Sequence, residues 1–218
     1  MKKRSIILLA LFLSCNKQKN TGANDLKFSV IPYDLKSNHI DSIAQKIIPN
    51  KHFDYWQYAT YYQQYGSGNE TYTVLAEGGD LKLKKSINTK INPLKLHGLF
   101  EGGHPSFRSN YLVMIDNGKV KYAETIETLR DFIGTIDNLE EALLFARTYD
   151  FVMGSTPKAR SYNFSNGTYK LRLVKYNNLN MESAFRLRGE LIELTITEDG
   201  YMKSKSLGTY CEGEECWK

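Results

Sequence analysis

The chain has 218 residues, with 29 Lys and Arg against 24 Asp and Glu and a formal net charge of +5. It contains no run of five or more like charges, whereas nucleic-acid binding needs a clustered, phosphate-facing basic patch. Nucleic acid is therefore excluded as a predicted partner. With 41% hydrophobic residues over this length, the chain can bury one sizeable core.

The first fifteen residues have the pattern of an export signal. Residues 2–4 are basic, residues 6–13 form an unbroken apolar run, and Ser14 and Cys15 follow. The run is too short to cross a bilayer as a permanent helix, but it suits a secretory signal. Loss of the three basic residues with the signal lowers the net charge from +5 to +2, so the mature chain is nearly neutral.

The segment Phe12-Leu13-Ser14-Cys15 resembles the lipobox of bacterial lipoproteins, with Phe12 where that family usually has leucine. The resemblance implies that residues 1–14 are a signal peptide cut off before Cys15. It also implies a diacylglycerol on the Cys15 thiol and an acyl chain such as palmitate on its new amine. Several acyl chains anchor a protein stably to a membrane. The alternative is an ordinary cleaved signal in which Cys15 is incidental.

This resemblance predicts a lipid-anchored protein of the bacterial cell envelope that faces the periplasm or the exterior. Asn16 stands where some lipoproteins carry the aspartate that retains them in the inner membrane, so the outer membrane is favoured. Residues 15–25 are almost wholly polar, which predicts a tether from the lipidated cysteine. Residues 26–218 then form a single globular domain.

Two further cysteines lie close together near the C-terminus. Cys211 and Cys216 enclose four residues that include Gly213, and in an exported chain such a pair predicts a disulfide. A structural zinc ion would need about four ligands, and a redox pair normally has two intervening residues. We therefore expect a structural crosslink.

The first part of the domain mixes extended and helical patterns. An extended piece is expected at 27–32, and apolar spacings of three and four predict a helix over Ser37–Ile48 that Pro49 ends. The aromatic run at 53–65 fits one face of a helix and also fits a strand. These segments leave open a helical and aromatic appendage at 26–66.

Apolar residues alternate with polar ones after this run. Residues 72–76 and 81–87 flank a Gly78-Gly79-Asp80 turn, which predicts a hairpin. Residues 88–109 carry several prolines and glycines, and we expect them to be irregular.

The clearest strand pattern follows. Tyr111–Ile115 is apolar on both faces, which predicts a central strand covered on both sides. Asn117-Gly118 favours the positive φ angles of a tight turn, after which Lys119–Ala123 is expected to return alongside.

Two helices are predicted next. Thr125 is expected to cap the first helix, whose buried face includes Phe132, and Gly134 is expected to end it. Asp137 with Glu140 fits a capping box for the second helix, which runs through Arg147. Its expected buried stripe is Leu139, Leu143 and Ala146.

Two more hairpins complete the pattern. Asn166-Gly167 separates Ser161–Ser165 from Thr168–Tyr176, and Asp199-Gly200 separates the next two alternating runs. The helices come in pairs and not between every strand. The sequence therefore predicts an α+β fold, an antiparallel sheet built from hairpins with a few packed helices.

One loop offers a candidate metal site. His97, Glu101 and His104 are ligand types, and the glycines among them would let a loop wrap an ion. A catalytic zinc needs about three such ligands with one position open. The alternative is a Gly-rich surface loop with solvated histidines, which are common in proteins. The first reading would make the protein a lipid-tethered metal-dependent hydrolase.

The aromatic run offers a candidate binding surface. Tyr55, Trp56, Tyr58 and Tyr62 could stack on sugar rings or peptide side chains in the envelope. The alternative is that these side chains pack in the core, because apolar periodicity is first a packing signal.

Other chemistry has little support in the sequence. It lacks a Gly-x-Ser-x-Gly elbow and a phosphate-binding loop, and its three cysteines are assigned to lipid or disulfide. The adjacent carboxylates Glu140 and Glu141 are expected to be solvated. No catalytic residue and no cofactor are predicted.

The run Phe132 to Leu143 resembles a segment of uncharacterised bacterial lipoproteins, and no activity follows from that resemblance. The sequence therefore favours a non-catalytic binding or structural lipoprotein whose partner is an envelope protein or glycan. The tethered hydrolase is the alternative.

Overall fold

The computed structural model describes residues 27–32, 39–64, 66, 68–88, 98–102, 106–179 and 186–217. The strands in this part of the chain are β1 Ser29–Val30, β2 Tyr55–Gln64, β3 Glu70–Gly79, β4 Phe100–Gly102, β5 Ser106–Asp116, β6 Lys119–Ala123, β7 Phe151–Val152, β8 Ser161–Ser165, β9 Thr168–Leu179, β10 Arg186–Thr197 and β11 Met202–Glu212. The α-helices are α1 His39–Ala44, α2 Lys84–Asn88, α3 Ile126–Ile133 and α4 Leu139–Arg147, and short 3-10 helices cover Leu81–Leu83, Pro157–Ala159 and Gly213–Trp217.

The strands form two antiparallel sheets. The six-stranded sheet has the order β1-β8-β9-β10-β11, with β7 paired to β9. The five-stranded sheet has the order β3-β2-β5-β4, with β6 paired to β5. The predicted α+β class with antiparallel sheet is confirmed.

One main core joins a face of each sheet to the helices. From the five-stranded sheet it takes Leu112 and Met114, from the six-stranded sheet Leu171 and Leu194, and from the helices residues such as Phe132. The opposite face of the five-stranded sheet has its own smaller core, which includes Tyr55 and Tyr111 together with Ile87 of α2.

The central strand and the helix that follows β6 agree with the sequence pattern. Residues 111–115 of β5 are buried on both faces, because consecutive residues enter different cores. Asn117 and Gly118 take positive φ angles of 52° and 71° in the turn before β6. Thr125 caps α3 by accepting the Thr128 N–H, and Gly134 follows its last residue.

The cap of α4 lies one residue later than predicted. The Asn138 side chain, and not that of Asp137, accepts the Glu141 N–H at 2.8 Å. Glu141, and not Glu140, reaches back to the N–H of Asp137 at 3.3 Å. The cap bond of a capping box therefore exists one position later than predicted, whereas Glu141 bonds the N–H of the residue before the cap and not that of Asn138 itself.

Two sequence expectations need correction, and one open alternative is decided. Residues 81–88 are helical and do not form the expected second strand of a hairpin, since Asp80 accepts the Lys82 N–H and starts a 3-10 turn. β3 pairs with β2 instead. The aromatic run, for which the sequence left both a helix and a strand open, is the strand β2. The region expected to be irregular contains β4 and the first residues of β5.

The helix expected over Ser37–Ile48 is also shorter than predicted. α1 ends at Ala44, and Ser37 lies outside the described residues. Ile47 is buried although it follows the helix. The apolar spacing therefore predicted the burial of this residue correctly, although it predicted the end of the helix wrongly.

Candidate functional site

The predicted aromatic binding residues lie on β2, where most of them are buried. Tyr55, Trp56 and Tyr58 are buried, and Tyr62 is 37% exposed. Trp56 and Tyr58 enter the main core, whereas Tyr55 enters the smaller core on the other face. A ligand in solvent therefore cannot stack on the first three residues, and packing describes their role.

The predicted metal site cannot be assembled from the described residues. His97 and His104 lie outside them, and Glu101 lies in β4. Within the described ranges, no group of three or more His, Cys, Asp or Glu side chains could hold a metal ion. The hydrolase alternative stays a prediction.

The predicted leader, Cys15 and the tether at 15–25 also lie outside the described residues. Among the helices that the structure does describe, none is both long and apolar enough to span a bilayer. The Cys211–Cys216 disulfide is confirmed, with Cα atoms 5.2 Å apart. Cys211 is buried at the end of β11.

A groove of about 400 Å³ lies beside the ends of β5 and β6. We call it the lysine groove. It is lined by Lys51, Phe53, Met114, Asp116, Lys121, Tyr122, Thr128, Asp131 and Phe132. A second cavity, next to Ile43 and Leu143, measures about 10 Å³, which leaves room for one water molecule at most.

The floor of the lysine groove is aromatic and firmly packed. Phe53 stacks on Phe132 with ring centroids 5.3 Å apart. Trp56 meets the same Phe132 ring edge-on, also at 5.3 Å. Such aromatic pairs contribute stabilisation beyond the apolar area that they bury, so the floor is a fixed surface.

The rim of the lysine groove carries a charge cluster. Asp116 Oδ2 accepts hydrogen bonds from Lys121 Nζ at 2.7 Å and from Lys51 Nζ at 3.0 Å. These two lysine bonds hold the pKa of Asp116 below its usual value. Because the lysine side chains are 54% and 53% exposed, each ammonium can still donate to a ligand.

Backbone contacts hold the two sides of the groove together. Asp54, which follows Phe53, accepts the Gly118 N–H through Oδ2 at 2.8 Å. The Asp54 N–H donates to the Ile115 carbonyl at 2.9 Å. The segment that bears Lys51 and the β5–β6 turn are therefore one connected unit.

The side chains that line the groove are better suited to binding a ligand than to catalysing a reaction. The lowered pKa of Asp116 makes that carboxylate a weak proton acceptor near neutral pH. The lysines supply positive charge and N–H donors, and the floor supplies apolar surface. A ligand that pairs an apolar group with a carboxylate matches both features.

A second polar cluster, which we call the tyrosine network, lies on the opposite face of the five-stranded sheet. Tyr55 Oη donates to Glu77 Oε2 at 2.5 Å and lies 3.0 Å from Gln57 Oε1. Gln57 Nε2 donates to Tyr72 Oη at 2.7 Å, and Lys84 Nζ donates to Glu77 Oε1 at 3.0 Å. Gln57 is fully buried, so these bonds satisfy a polar group that water cannot reach.

The network shifts the pKa values of its members in opposite directions. Burial, followed by the bond to Glu77, raises the pKa of Tyr55, and burial raises the pKa of Tyr72 to about 12. The hydrogen bonds from Tyr55 and then Lys84 lower the pKa of Glu77. The tyrosines therefore stay neutral and Glu77 stays charged at physiological pH, as in a structural network.

The expectation that Glu140 and Glu141 are solvated is wrong. They are 9% and 1% exposed. Glu141 accepts the Ile48 N–H at 3.1 Å and the Asp137 N–H at 3.3 Å, while Glu140 accepts Lys46 Nζ at 2.7 Å. Burial raises the pKa of Glu141. Both carboxylates fasten the segment after α1 to the start of α4.

No protein-family model, curated protein or solved structure matches this chain. The candidate site therefore depends on the geometry of the lysine groove alone. Sequence reasoning did not find this groove, since its residues come from four separate stretches. The one local signal was the Asn117-Gly118 turn, which places Asp116 and Lys121 on neighbouring strands.

Proposed function

We propose that the protein is a lipid-anchored lipoprotein of the bacterial cell envelope that binds an acidic peptide segment in the lysine groove. The observation that carries the binding function is the pair of half-exposed lysines that share one Asp116 oxygen above an aromatic floor. In this function the protein is non-catalytic.

The shared oxygen explains why an acidic ligand would be preferred. Lys51, Lys121 and Asp116 together carry one net positive charge at neutral pH, and this charge is concentrated where the two ammonium groups meet on Asp116. Asp131 also lines the groove and brings the charge of the whole lining to zero, so the preference for an acidic ligand depends on the lysine pair. A ligand carboxylate would accept charge-assisted hydrogen bonds from the N–H groups that Asp116 does not use. An apolar side chain of the same peptide would lie over the Phe53 and Phe132 floor.

The anchor part of the proposal is supported by the leader and its lipobox resemblance. Mass spectrometry of the native protein tests it directly, since the expected mass is that of a chain starting at an acylated Cys15. In cell fractionation with a high-salt wash, which removes proteins held by charge alone, Cys15→Ala should move the protein out of the membrane fraction. An intact, unacylated Met1 terminus would contradict the lipid anchor, and it would not affect the proposal that the lysine groove binds a peptide.

The groove is tested with peptides in solution. Short peptides that combine Asp or Glu with Leu or Phe should shift the ¹⁵N resonances of Asp116, Lys121 and Thr128. The same peptides with Asn or Gln in place of the acids should not, because the lysine bonds would be lost. Peptidoglycan fragments are titrated in the same way, because the sequence also allowed a glycan partner.

Two double variants separate groove binding from general charge. Lys51→Glu with Lys121→Glu should abolish the shifts. Lys82→Glu with Lys158→Glu changes the net charge equally at exposed positions outside the groove, and it should leave the shifts intact. Equal loss in both variants, or a response to the glycan fragments alone, would refute the peptide proposal.

A further inference from the structure

The outer face of the six-stranded sheet carries a set of basic side chains. Leu171 and Leu173 of β9 lie in the main core. Side chains alternate along a strand, so Lys170 and Arg172 project from the opposite face. The register of β9, β10 and β11 then decides what lies beside them.

That register places the cations in two adjacent rows across the sheet. Lys170 pairs with Thr195, which pairs with Lys203. Arg172 pairs with Glu193, which pairs with Lys205. Strands in a sheet lie about 4.8 Å apart, so the two ends of each row are separated by about 10 Å. We call Lys170, Arg172, Lys203 and Lys205 the basic face.

One carboxylate faces these four cations. Arg172 Nε donates to Glu193 Oε2 at 3.0 Å. Lys170, Lys203 and Lys205 have no carboxylate within 4.0 Å among the described residues. Since both lysines of β11 are exposed, most of the positive charge of this face is directed at solvent and not at the protein.

The described chain begins beside this same face. Asn163 of β8, which pairs with Lys170, donates through Nδ2 to the Lys27 carbonyl at 3.1 Å. The Phe28 ring lies 3.7 Å from the Arg172 guanidinium. Twelve residue steps separate Lys27 from Cys15, a span of roughly 40 Å at most when extended. The chain that leads to Cys15 therefore leaves the fold next to the basic face.

We infer that the basic face docks on an anionic phospholipid surface. Lysines near such a surface are attracted to its phosphates and carboxylates, and this attraction falls off within a Debye length of about 8 Å at physiological salt. A tether that starts on the same side keeps the face within reach of the membrane. The lysine groove, whose Met114 and Phe132 belong to the main core, lies on the other side of this sheet and stays accessible.

Vesicle sedimentation tests this inference without requiring the lipid anchor. The whole chain carrying Cys15→Ala is mixed with vesicles of phosphatidylcholine alone or with 30% phosphatidylglycerol. Because each lysine near an anionic surface is worth about a fivefold change in binding, Lys203→Glu with Lys205→Glu should weaken binding to the anionic vesicles by about 25-fold or more. Binding to the neutral vesicles should be unchanged.

A control variant with the same net charge and the same basic leader shows how much of the binding depends on those two features alone. Lys82→Glu with Lys119→Glu reverses two exposed lysines of the other sheet region on the same chain, and it should change anionic binding by less than about threefold. Circular dichroism verifies that both variants are folded. Equal losses in the two variants, or binding that does not respond to phosphatidylglycerol, would overturn the inference, as would retention on an acidic polysaccharide but not on vesicles.

Discussion

On the five-stranded sheet, the face turned away from the main core is covered by α2. Its tyrosines are hydrogen-bonded within the protein, Tyr55 to Glu77 and Tyr72 to Gln57. On the six-stranded sheet, part of the corresponding face is covered at Ala159, Val174 and Leu191, whereas the part that carries Lys170, Arg172 and Lys205 is at least partly exposed. Both sheets alternate side chains in the same way. The comparison teaches that a polar residue opposite the core is committed to a partner when the face is covered, and is available to an external one when it is open.

The largest expected effect tests whether the two sheets share one core. Phe132→Ala removes the ring that contacts both Phe53 and Trp56, and substitutions of this kind cost about 3–5 kcal/mol. Denaturant unfolding followed by circular dichroism and by tryptophan fluorescence should show one transition at lower denaturant. Two separated transitions would mean that the sheets unfold independently.

A smaller effect is expected at the edge of the six-stranded sheet. Replacing Cys211 and Cys216 with Ala opens a short loop, and the chain-entropy model assigns such a loop about 2 kcal/mol of stability. Thermal melting of the double variant should fall accordingly, and wild type in reductant should melt at the same temperature. A variant as stable as the oxidised protein would show that the crosslink is dispensable for this edge.

The covered and open faces can be compared with one polar substitution on each. Gln57→Ala leaves Tyr72 without its donor inside the tyrosine network, which should cost about 1–3 kcal/mol. Thr195→Ala on the open face should change the free energy of unfolding by less than about 0.5 kcal/mol. Urea unfolding of both variants measures the difference, and equal costs would remove the distinction between the faces.

The smallest expected effects depend on pH and have opposite signs at two carboxylates. Burial raises the pKa of Glu141 above 4.5, so its contribution to stability is complete below that value and is lost as the pH rises through the folded pKa. Hydrogen bonds lower the pKa of Glu77, so its contribution is present above 4.5 and is lost as the pH falls through the folded pKa.

These signs can be read from the difference in unfolding free energy between wild type and each Gln variant. From pH 3 to pH 7 this difference should decrease for Glu141→Gln and increase for Glu77→Gln. Each urea titration is repeated at several pH values in one buffer series. Parallel slopes for the two variants would show that burial does not dominate at Glu141.

Local signals explain the part of the fold that the sequence predicted. Gly134 ends α3 with a φ of 70°, and the Asn117-Gly118 turn needs no information from distant residues. The aromatic run was ambiguous because β2 is buried on both faces, which removes the period of two that identifies a half-buried strand. Residues 81–88 alternate in hydropathy over too few positions to distinguish a strand from two short helical turns.

The candidate site was less accessible to prediction than the fold. Lys51 and Lys121 are separated by 70 positions in the sequence and meet on Asp116 only because β5, β6 and the segment before β2 come together. Glu141 looked solvated because its neighbour is also acidic, yet it accepts the N–H of Ile48 from a distant part of the chain and that of Asp137 from four residues earlier. Such contacts leave no periodic or spacing signal.

The bond from Gly118 to Asp54 has a consequence for how the lysine groove would work. It joins the two segments that bear Lys51 and Lys121, so the two lysines are already close together before a ligand binds. The ordering is complete before the encounter, and the arriving molecule gives up only its own freedom of movement. A preorganised groove of this kind can bury a small area of ligand and still bind selectively.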